Sequence, residues 1–438
     1  SESSHNVSFG KSVDLTRAVS DIYNKTEEYN LINNMHTAVI PCDGQGDCSL
    51  NMSFESDINN GVSRAAVSVL TELLNRGSMF SDKNSYGNKI LNLNSCVGFS
   101  ASQNTVNLSA NIPAENLNAV LPLIKETLLN PCFTEAEFSR AKQIVKDSIC
   151  SESPVPQDKI NESLYPENKY YSDKDEQIKM LEKLTLDDVK SLYNGIIQNA
   201  QASASLGVPC EYKNYALNSL SSCFSYNMPN FRQFVPAVYS SVNFYKPVKE
   251  QKTFTASEES SQAKVLSSYR FRTTGNVEDS AKIMILNQIL GGGMSSRLFE
   301  DVRNNEKLAY HVHSEVSGNY DEGSIGLYLE TSADDSFTKE ASSQNVIKSF
   351  DTFNRNVNKL KNEYVSQEEL INAKNVCKTS LLNALESIEG ITSGADNSLK
   401  TEYGISYDEE LLRAIDKITV EDIKNCANYV FSNPPLNS

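Results

Sequence analysis

The chain has 438 residues, enough for two domains, and its 39% hydrophobic and 22% charged residues are typical of a globular protein. Acidic residues outnumber basic ones by 56 to 40, which gives a formal net charge of −16. Because nucleic acids are bound through a positive field, this charge argues against DNA or RNA as a partner, whereas basic peptides would be attracted.

The first half carries the pattern of a strand, a helix, a hairpin and a second helix. Apolar and polar residues alternate over 50–54, which predicts a strand with one buried face. A helix is predicted over 62–75, and residues 97–112 are expected to form an antiparallel hairpin. Apolar residues at helical spacing then indicate an amphipathic helix over 117–128.

The second half repeats this order. A helix is predicted from Ser280 to Leu290, where three glycines end it, and a hairpin is predicted to turn at 318–323. Strands, hairpins and helices in this order favour an α+β fold over a parallel α/β fold.

Two pairs of similar segments indicate that the chain is duplicated. Phe133–Lys142 corresponds to Val365–Lys374, 232 residues later, and both contain a Thr or Ser followed three residues on by Glu, the capping-box signature. Leu184–Lys190 corresponds to Ile418–Lys424, 234 residues later. The nearly equal offsets predict two tandem homologous domains, each a mainly antiparallel sheet packed with helices.

The predicted boundaries place the first domain over residues 1–225, a linker over 226–250 and the second domain over 251–438. No apolar stretch approaches the ~20 residues needed to cross a bilayer, so no membrane span is expected. Nine scattered cysteines without a Cys-x-x-Cys pair favour free thiols and a cytoplasmic location. Since the chain opens with Ser1, the matrix of a mitochondrion or related organelle, after loss of a targeting segment, is the alternative.

The most distinctive motif is Gly-Gly-Gly-Met-Ser-Ser-Arg-Leu-Phe-Glu-Asp-Val-Arg at 291–303, followed by Leu-Ala-Tyr at 308–310. It lacks the ending of a P-loop and the spacing of a dinucleotide fingerprint, so a nucleotide site is not expected. Together with the duplication, Asn33-Asn34-Met35 and Asn130-Pro131-Cys132-Phe133, this motif resembles the pitrilysin/insulysin (inverzincin) metallopeptidases, which include the mitochondrial and many bacterial processing peptidases.

The resemblance implies a role for two residues of the second half. In that family an Arg and a Tyr seven residues later, supplied by a domain without zinc, help to bind the substrate backbone and to stabilise the reacting carbonyl. The matching residues are Arg303 and Tyr310. A guanidinium can grip carbonyl oxygens and a phenol can donate to an oxyanion. Tyr310 also shares its strand face with Val312 and Val316, as a core tyrosine would.

The family's zinc motif, His-x-x-Glu-His, is degenerate in the helix predicted near 62–76. Aligning Arg-Gly-Ser at 76–78 with the family's Lys-Gly-Thr puts Ser68, Thr71 and Glu72 at the His, Glu and His positions. Asp147 lies near the position of the family's downstream ligand, but one carboxylate does not make a zinc site. We therefore expect no metal in this chain and no zinc catalysis by this chain alone.

The remaining histidines offer one alternative. His311, His313 and Glu315 alternate along one predicted strand face, so their side chains point the same way. Such a strand can ligate zinc, although the pattern more often marks an exposed strand face. A self-sufficient peptidase that uses His311 and His313 is therefore one rival hypothesis.

The resemblance implies the non-zinc, substrate-binding subunit of a heterodimeric zinc metallopeptidase. A homologous partner subunit would supply His-x-x-Glu-His, the zinc and the general base, while this chain would bind the peptide substrate through Arg303, Tyr310 and a sheet edge. The reaction would be hydrolysis of unfolded or short peptides, for example leader or targeting peptides. The alternatives are a catalytically inactive structural subunit with the same fold and the C-terminal half of a longer single-chain peptidase.

Overall fold

The structure is a computed structural model that describes residues 14–44, 46–153, 155–236, 244–255, 262–319, 321–332 and 339–438. It contains two sheets, each packed with helices. The strands of the first sheet are β1 (Glu27–Asn30), β2 (His36–Cys42), β3 (Cys48–Glu55), β4 (Cys96–Ala101), β5 (Thr105–Ile112) and β6 (Gln201–Pro209). Their order is β1-β2-β6-β3-β5-β4, and only the β2–β6 pair is parallel.

The second sheet repeats this topology. Its strands are β7 (Lys252–Thr253), β8 (Gln262–Arg272), β9 (Ala309–Asn319), β10 (Glu322–Ser332) and β11 (Leu436–Asn437), in the order β7-β11-β8-β10-β9. Here too the only parallel pair, β7 with β11, corresponds to β2 with β6. The matching strand order confirms the prediction of two homologous α+β units built on mainly antiparallel sheets.

The helices also repeat between the halves. Those of the first half are α1 (Thr16–Tyr23), α2 (Arg64–Leu74), α3 (Lys83–Asn92), α4 (Leu117–Leu129), α5 (Glu135–Ser151), α6 (Pro156–Leu164), α7 (Lys174–Lys183), α8 (Leu186–Gln198) and α9 (Lys213–Phe224). Those of the second half are α10 (Val277–Gly291), α11 (Arg297–Phe299), α12 (Lys339–Asn362), α13 (Gln367–Ala384), α14 (Ile388–Leu399), α15 (Tyr407–Lys417) and α16 (Val420–Val430). None of the helices in the described part of the chain is long and apolar enough to cross a membrane.

The two predicted capping boxes differ in their hydrogen bonds. At the start of α13, Ser366 accepts from the Glu369 amide and the Glu369 carboxylate accepts from the Ser366 amide, as the signature requires. At the start of α5, Thr134 accepts from the amide of Glu137. The carboxylate of Glu137 instead pairs with Arg76 at 2.8 Å, so the box predicted there is incomplete.

Both faces of β3 are buried, which corrects the prediction of one buried face for this strand. Leu50, Met52 and Phe54 pack into the first core, as expected. Ser49 and Ser53 on the opposite face are only 4% and 5% exposed. They are covered because α14, which belongs to the second half of the chain, lies against this face of the first sheet.

The halves exchange helices reciprocally. α14 lies so close to β6 that a Cβ atom at Gly207 would overlap the hydroxyl of Thr392. In return α6, from the first half, lies against β8 of the second sheet, where Ile160 packs with Leu266 and Leu436. Each sheet therefore has a helix of the other half on the face opposite its main core, and on the first sheet α1 packs there beside α14.

The segment predicted as a linker is partly bound to the first half. The amide of Phe231 donates to the carbonyl of Asn33, and the amide of Arg232 donates to that of Ala200. Phe234 stacks on the ring of His36, with the centroids 4.7 Å apart. Residues 237–243 lie outside the described residues, so the boundaries at 226 and 250 stay predictions.

Candidate functional site

The helix at which the resemblance places a zinc motif is α2. Ser68, Thr71 and Glu72 lie on it and are half-buried. The hydroxyl of Thr71 donates to the carbonyl of Val67 within the helix, at 3.0 Å. The carboxylate of Glu72 lies 3.5 Å from the guanidinium of Arg76. The imidazoles that would hold zinc are absent and the remaining groups bond locally, so these residues do not fit a zinc ion.

Asp147 and the strand histidines do not supply a replacement site. Asp147 is exposed on α5 and accepts from Gln143 at 2.7 Å. The rings of His311 and His313 lie 5.1 Å apart on β9, and burial together with the neighbouring His311 lowers the pKa of His313. Among the described residues, no three His, Cys, Asp or Glu side chains converge as a metal site. The alternative of a zinc site at His311, His313 and Glu315 thus has no geometric support.

Arg303 lies on an unusual turn. α11 is a single turn, and the chain then widens into π-helical geometry over Glu300–Asn305, a conformation that often marks functional segments. Lys307 adopts a left-handed φ of 51°, and the amide of Leu308 returns to the carbonyl of Val302 at 2.9 Å. This closed turn delivers the chain directly into β9.

The turn is fastened to α12 by a group of charged and polar side chains. Arg355 on α12 contacts Asp301 at 3.0 Å and also pairs with Glu306, at the two ends of the turn. Asn356 donates to Asp301 at 2.8 Å. Burial alone would raise the pKa of Asp301, but hydrogen bonds from Asn356, Asn305 and Arg355 outweigh it and hold that pKa below its usual value. The backbone that carries Arg303 is therefore held from both ends.

Arg303 itself is exposed and has no carboxylate partner among the described residues. Its guanidinium lies 5.0 Å from the centroid of the Phe299 ring, a cation–π contact. Every other arginine of the chain has a carboxylate oxygen within salt-bridge distance. The donors of Arg303 are thus available to a ligand.

Tyr310 is the second residue of β9 and follows Arg303 by seven residues. Its backbone position agrees with the predicted strand, whereas its side chain lies outside the described part of the chain. The roles assigned to Arg303 and Tyr310 stay predictions.

The two sheets end in edge strands that differ in accessibility. In the first sheet one of the two edge strands is β4, and the side-chain amide of Asn75 bonds it: Nδ2 donates to the Phe99 carbonyl and Oδ1 accepts from the Phe99 amide, both at 2.9 Å. These two hydrogen bonds take the place of those that an added strand would form with Phe99. In the second sheet the edge strand is β9, with eleven residues, no proline and no lysine. No side chain of the described residues bonds the backbone of its central residues, so β9 can accept an added strand.

Comparison with known proteins identifies the relatives of this chain. Residues 230–377, which include the Arg303 turn, β9 and β10, match the family model for the peptidase M16 inactive domain. These 148 residues, about a third of the 438, are similar to an M16 domain. M16 peptidases are the pitrilysin-type enzymes that the motif at 291–310 resembles, so the match confirms the resemblance.

Bacterial zinc-protease relatives match about three quarters of the chain. An uncharacterized zinc protease of Rickettsia felis is 24% identical over 332 residues, 74% of each chain. The uncharacterized zinc protease YmxG of Bacillus subtilis is 23% identical over 336 residues, 74% of this chain and 75% of YmxG.

Solved structures share the fold of this chain. A protease from Helicobacter pylori superposes with a TM-score of 0.77 at 16% identity, covering 94% of this chain and 98% of that one. A peptidase M16 inactive domain from Pseudomonas fluorescens gives 0.76 at 18% identity, covering 94% and 97%. The periplasmic protease PqqL from Escherichia coli gives 0.68 at 14% identity, and this chain spans 48% of PqqL.

Two features of the site have no signal in the sequence. Asn75 follows a helix, where Asn is common, but nothing in its neighbourhood indicates that its amide bonds Phe99 across the fold. Arg355 lies more than fifty residues from Asp301, and a charged residue on a long helix is normally solvated. Neither contact could be found without the tertiary structure.

Proposed function

We propose that this chain is the substrate-binding subunit of a two-chain zinc peptidase that hydrolyses unfolded or short peptides, such as leader or targeting peptides. The observation that carries the proposal is Arg303: an exposed guanidinium without a carboxylate partner in the described residues, held on a fastened turn beside an open sheet edge. A purely structural subunit would not need an exposed guanidinium held in place without a carboxylate partner. The absence of His from positions 68 and 72 of α2 supports placing the metal outside this chain.

The contribution of this chain would be to bind and orient the peptide. The partner, a homologous subunit with His-x-x-Glu-His, would bring the zinc and the general base. Arg303 would hold a peptide carbonyl through its planar donors, and the hydroxyl of Tyr310 would donate to the reacting carbonyl oxygen. Both groups act by holding charge in place, so no proton leaves Arg303 in this role.

The strand to which a peptide would add is β9. An extended peptide gains affinity from main-chain hydrogen bonds to an exposed strand, and β9 presents such bonds directly after the Arg303 turn. β4 is the equivalent strand of the first half, but there the Asn75 amide already bonds Phe99. The net charge of −16 would favour the approach of basic leader segments.

The proposal is tested by combining the chain with a zinc-bearing homologous subunit and following the cleavage of a fluorogenic leader peptide. Arg303→Ala should lower kcat/KM of the pair at least roughly tenfold, about 1.4 kcal/mol in the barrier. Assembly should be unaffected, because Arg303 makes no ion pair with the described residues. Arg413→Ala is the matched control, since Arg413 is exposed on α15 and, among the residues the structure describes, forms an ion pair only with Glu409 four residues away.

Each rival predicts a different result. Unchanged turnover in Arg303→Ala would contradict the proposal and favour a structural subunit. Stoichiometric zinc in the isolated chain, with cleavage unaided, would establish a self-sufficient peptidase. A gene that encodes a second, zinc-bearing half on the same polypeptide would show that the two parts form one chain, as the double length of PqqL illustrates. The cytoplasmic location stays a prediction.

A further inference from the structure

Phe299 is the last residue of α11, and its ring lies against the guanidinium of Arg303, four residues later. Residues four apart are neighbours on the surface of a helical turn. The same turn carries a second pair at this spacing, Leu298 and Val302, and both of these are fully buried. Because that pair faces the core, the adjacent pair lies at the boundary with solvent, where Phe299 is half-buried and Arg303 is exposed.

The backbone that carries Phe299 is held on both sides. Its side chain packs against the second core, and its amide donates to the hydroxyl of Ser296 at 3.4 Å. The guanidinium of Arg297, two residues before Phe299, forms a two-pronged ion pair with Glu369 of α13, with N–O distances of 2.8 and 3.1 Å. Phe299 therefore presents its ring to Arg303 from a fixed position.

A ring contact differs from an ion pair in what it leaves of an arginine. The donors of a guanidinium lie in its plane and a carboxylate partner occupies them, whereas an aromatic ring attracts the cation through its π face and accepts none of them. An exposed arginine otherwise has many side-chain conformers, which a ligand must restrict at a cost in free energy. The ring of Phe299 therefore restricts Arg303 in advance and leaves its donors to a ligand.

Arg272 offers a comparison within the same half. Its guanidinium lies 5.5 Å from the centroid of the Tyr245 ring, a contact like that of Arg303. Arg272 also lies 3.7 Å from Asp321, so a carboxylate shares its donors. Arg303 combines the ring contact with donors that no carboxylate of the described residues occupies. This combination is suited to an arginine that binds a ligand.

We propose that Phe299 is a positioning residue that acts on the peptide substrate through Arg303. Its ring holds the guanidinium on the turn that leads into β9, so that the planar donors are ready to bind a carbonyl of a peptide added to that strand. Phe299 itself makes no contact with the substrate in this role. The proposal rests on the proposed function, because it requires that Arg303 binds the substrate.

The first test is a double-mutant cycle on the peptidase pair, measured with the leader peptide. Phe299→Leu keeps an apolar side chain and removes the ring, so KM should rise roughly two- to fivefold, the range of an exposed cation–π contact, with kcat unchanged. Phe299→Tyr keeps the ring and should retain the wild-type KM. In the Arg303→Ala background, Phe299→Leu should have no further effect, because the group through which Phe299 acts is gone.

Tyr364→Leu is the matched control. It removes an exposed ring that lies 4.6 Å from Nζ of Lys424, in the same half but outside the Arg303 turn and β9, so KM should be unchanged.

A second measurement needs neither the partner nor the substrate. In NMR spectra of the full wild-type chain, the ring current of Phe299 should displace the Nε–H signal of Arg303, which is identified by its loss in Arg303→Ala. Phe299→Leu should return this signal to the position of an arginine without a ring contact. Phe299→Tyr and Tyr364→Leu should leave it displaced.

The outcomes separate this proposal from the proposed function. Equal effects of Phe299→Leu with and without the Arg303 side chain would overturn the role of Phe299, because the ring would then only stabilise the fold. An unchanged KM in Phe299→Leu, or an undisplaced Arg303 signal in the wild type, would overturn it as well, while a slow Arg303→Ala variant would still support the proposed function. Unchanged turnover in Arg303→Ala would contradict both.

Discussion

The amide of Asn75 allows a worked prediction of stability. Asn75→Ala removes two hydrogen bonds to the backbone of Phe99, both 2.9 Å long. Phe99 is only 6% exposed, so water reaches its freed amide and carbonyl poorly. At about 0.5–1.5 kcal/mol for each neutral bond, the free energy of unfolding should fall by about 1–3 kcal/mol through this pair.

Asn199 is the matched control for Asn75. Both residues follow a helix, and in both Nδ2 donates at 2.9 Å to the carbonyl four residues earlier, Thr71 for Asn75 and Gly195 for Asn199. Asn199→Ala loses that local bond alone, so the difference between the two variants isolates the Phe99 pair. The measurement is urea unfolding followed by circular dichroism. A difference below about 0.5 kcal/mol would show that the amide does not hold β4.

Three further perturbations test other contacts. Gly207→Ala should cost about 1–3 kcal/mol in unfolding experiments, because its Cβ would overlap Thr392. Gly98→Ala should cost nothing, because its Cβ would meet only the Ser109 hydroxyl, at an ordinary contact distance of 4.0 Å. Burial raises the pKa of Asp408 to about 6, so the folded chain favours the protonated carboxyl. This favourable contribution to stability is fully present below pH ~4 and is lost as the pH rises through 6. Asp408→Asn should therefore stabilise the chain at pH 7.5, by at most about 3 kcal/mol, and not at pH 3.5. Arg355→Ala should lower the melting temperature, with a loss of about 1–2 kcal/mol that shrinks at acidic pH as Asp301, whose pKa the hydrogen bonds hold low, becomes protonated.

Local patterns in the sequence predicted most of the individual elements. The alternation over 50–54, the hairpin over 97–112 and the helix beginning near 62 all form where expected, since each depends on neighbours in the chain. The capping signature failed only at Glu137, where Arg76, some sixty residues away, attracts the carboxylate. A tertiary ion pair thus replaced a local bond.

Contacts between the halves could not be predicted. The burial of Ser49 and Ser53 depends on α14, whereas serines that alternate with apolar residues along a strand would, from the local sequence, predict an exposed face. The burial of Arg270 and Glu322 could not be predicted either, because Arg and Glu are mostly found exposed on protein surfaces. For the candidate site, residue spacing and resemblance led to Arg303, whereas its fastening by Arg355 required the fold.

The exchange of α6 and α14 bears on how this chain folds. The hydroxyl of Thr392 reaches the carbonyl of Ser49, and Asn51 reaches Ser393, across more than three hundred residues of sequence. During synthesis on the ribosome, one face of the first sheet therefore stays uncovered until α14, near the end of the chain, has been made. Contacts between residues so far apart in the sequence slow folding, and we expect the nascent first half to need chaperones. We also expect that, after a protease cut between the halves, the two fragments would stay associated through α6 and α14.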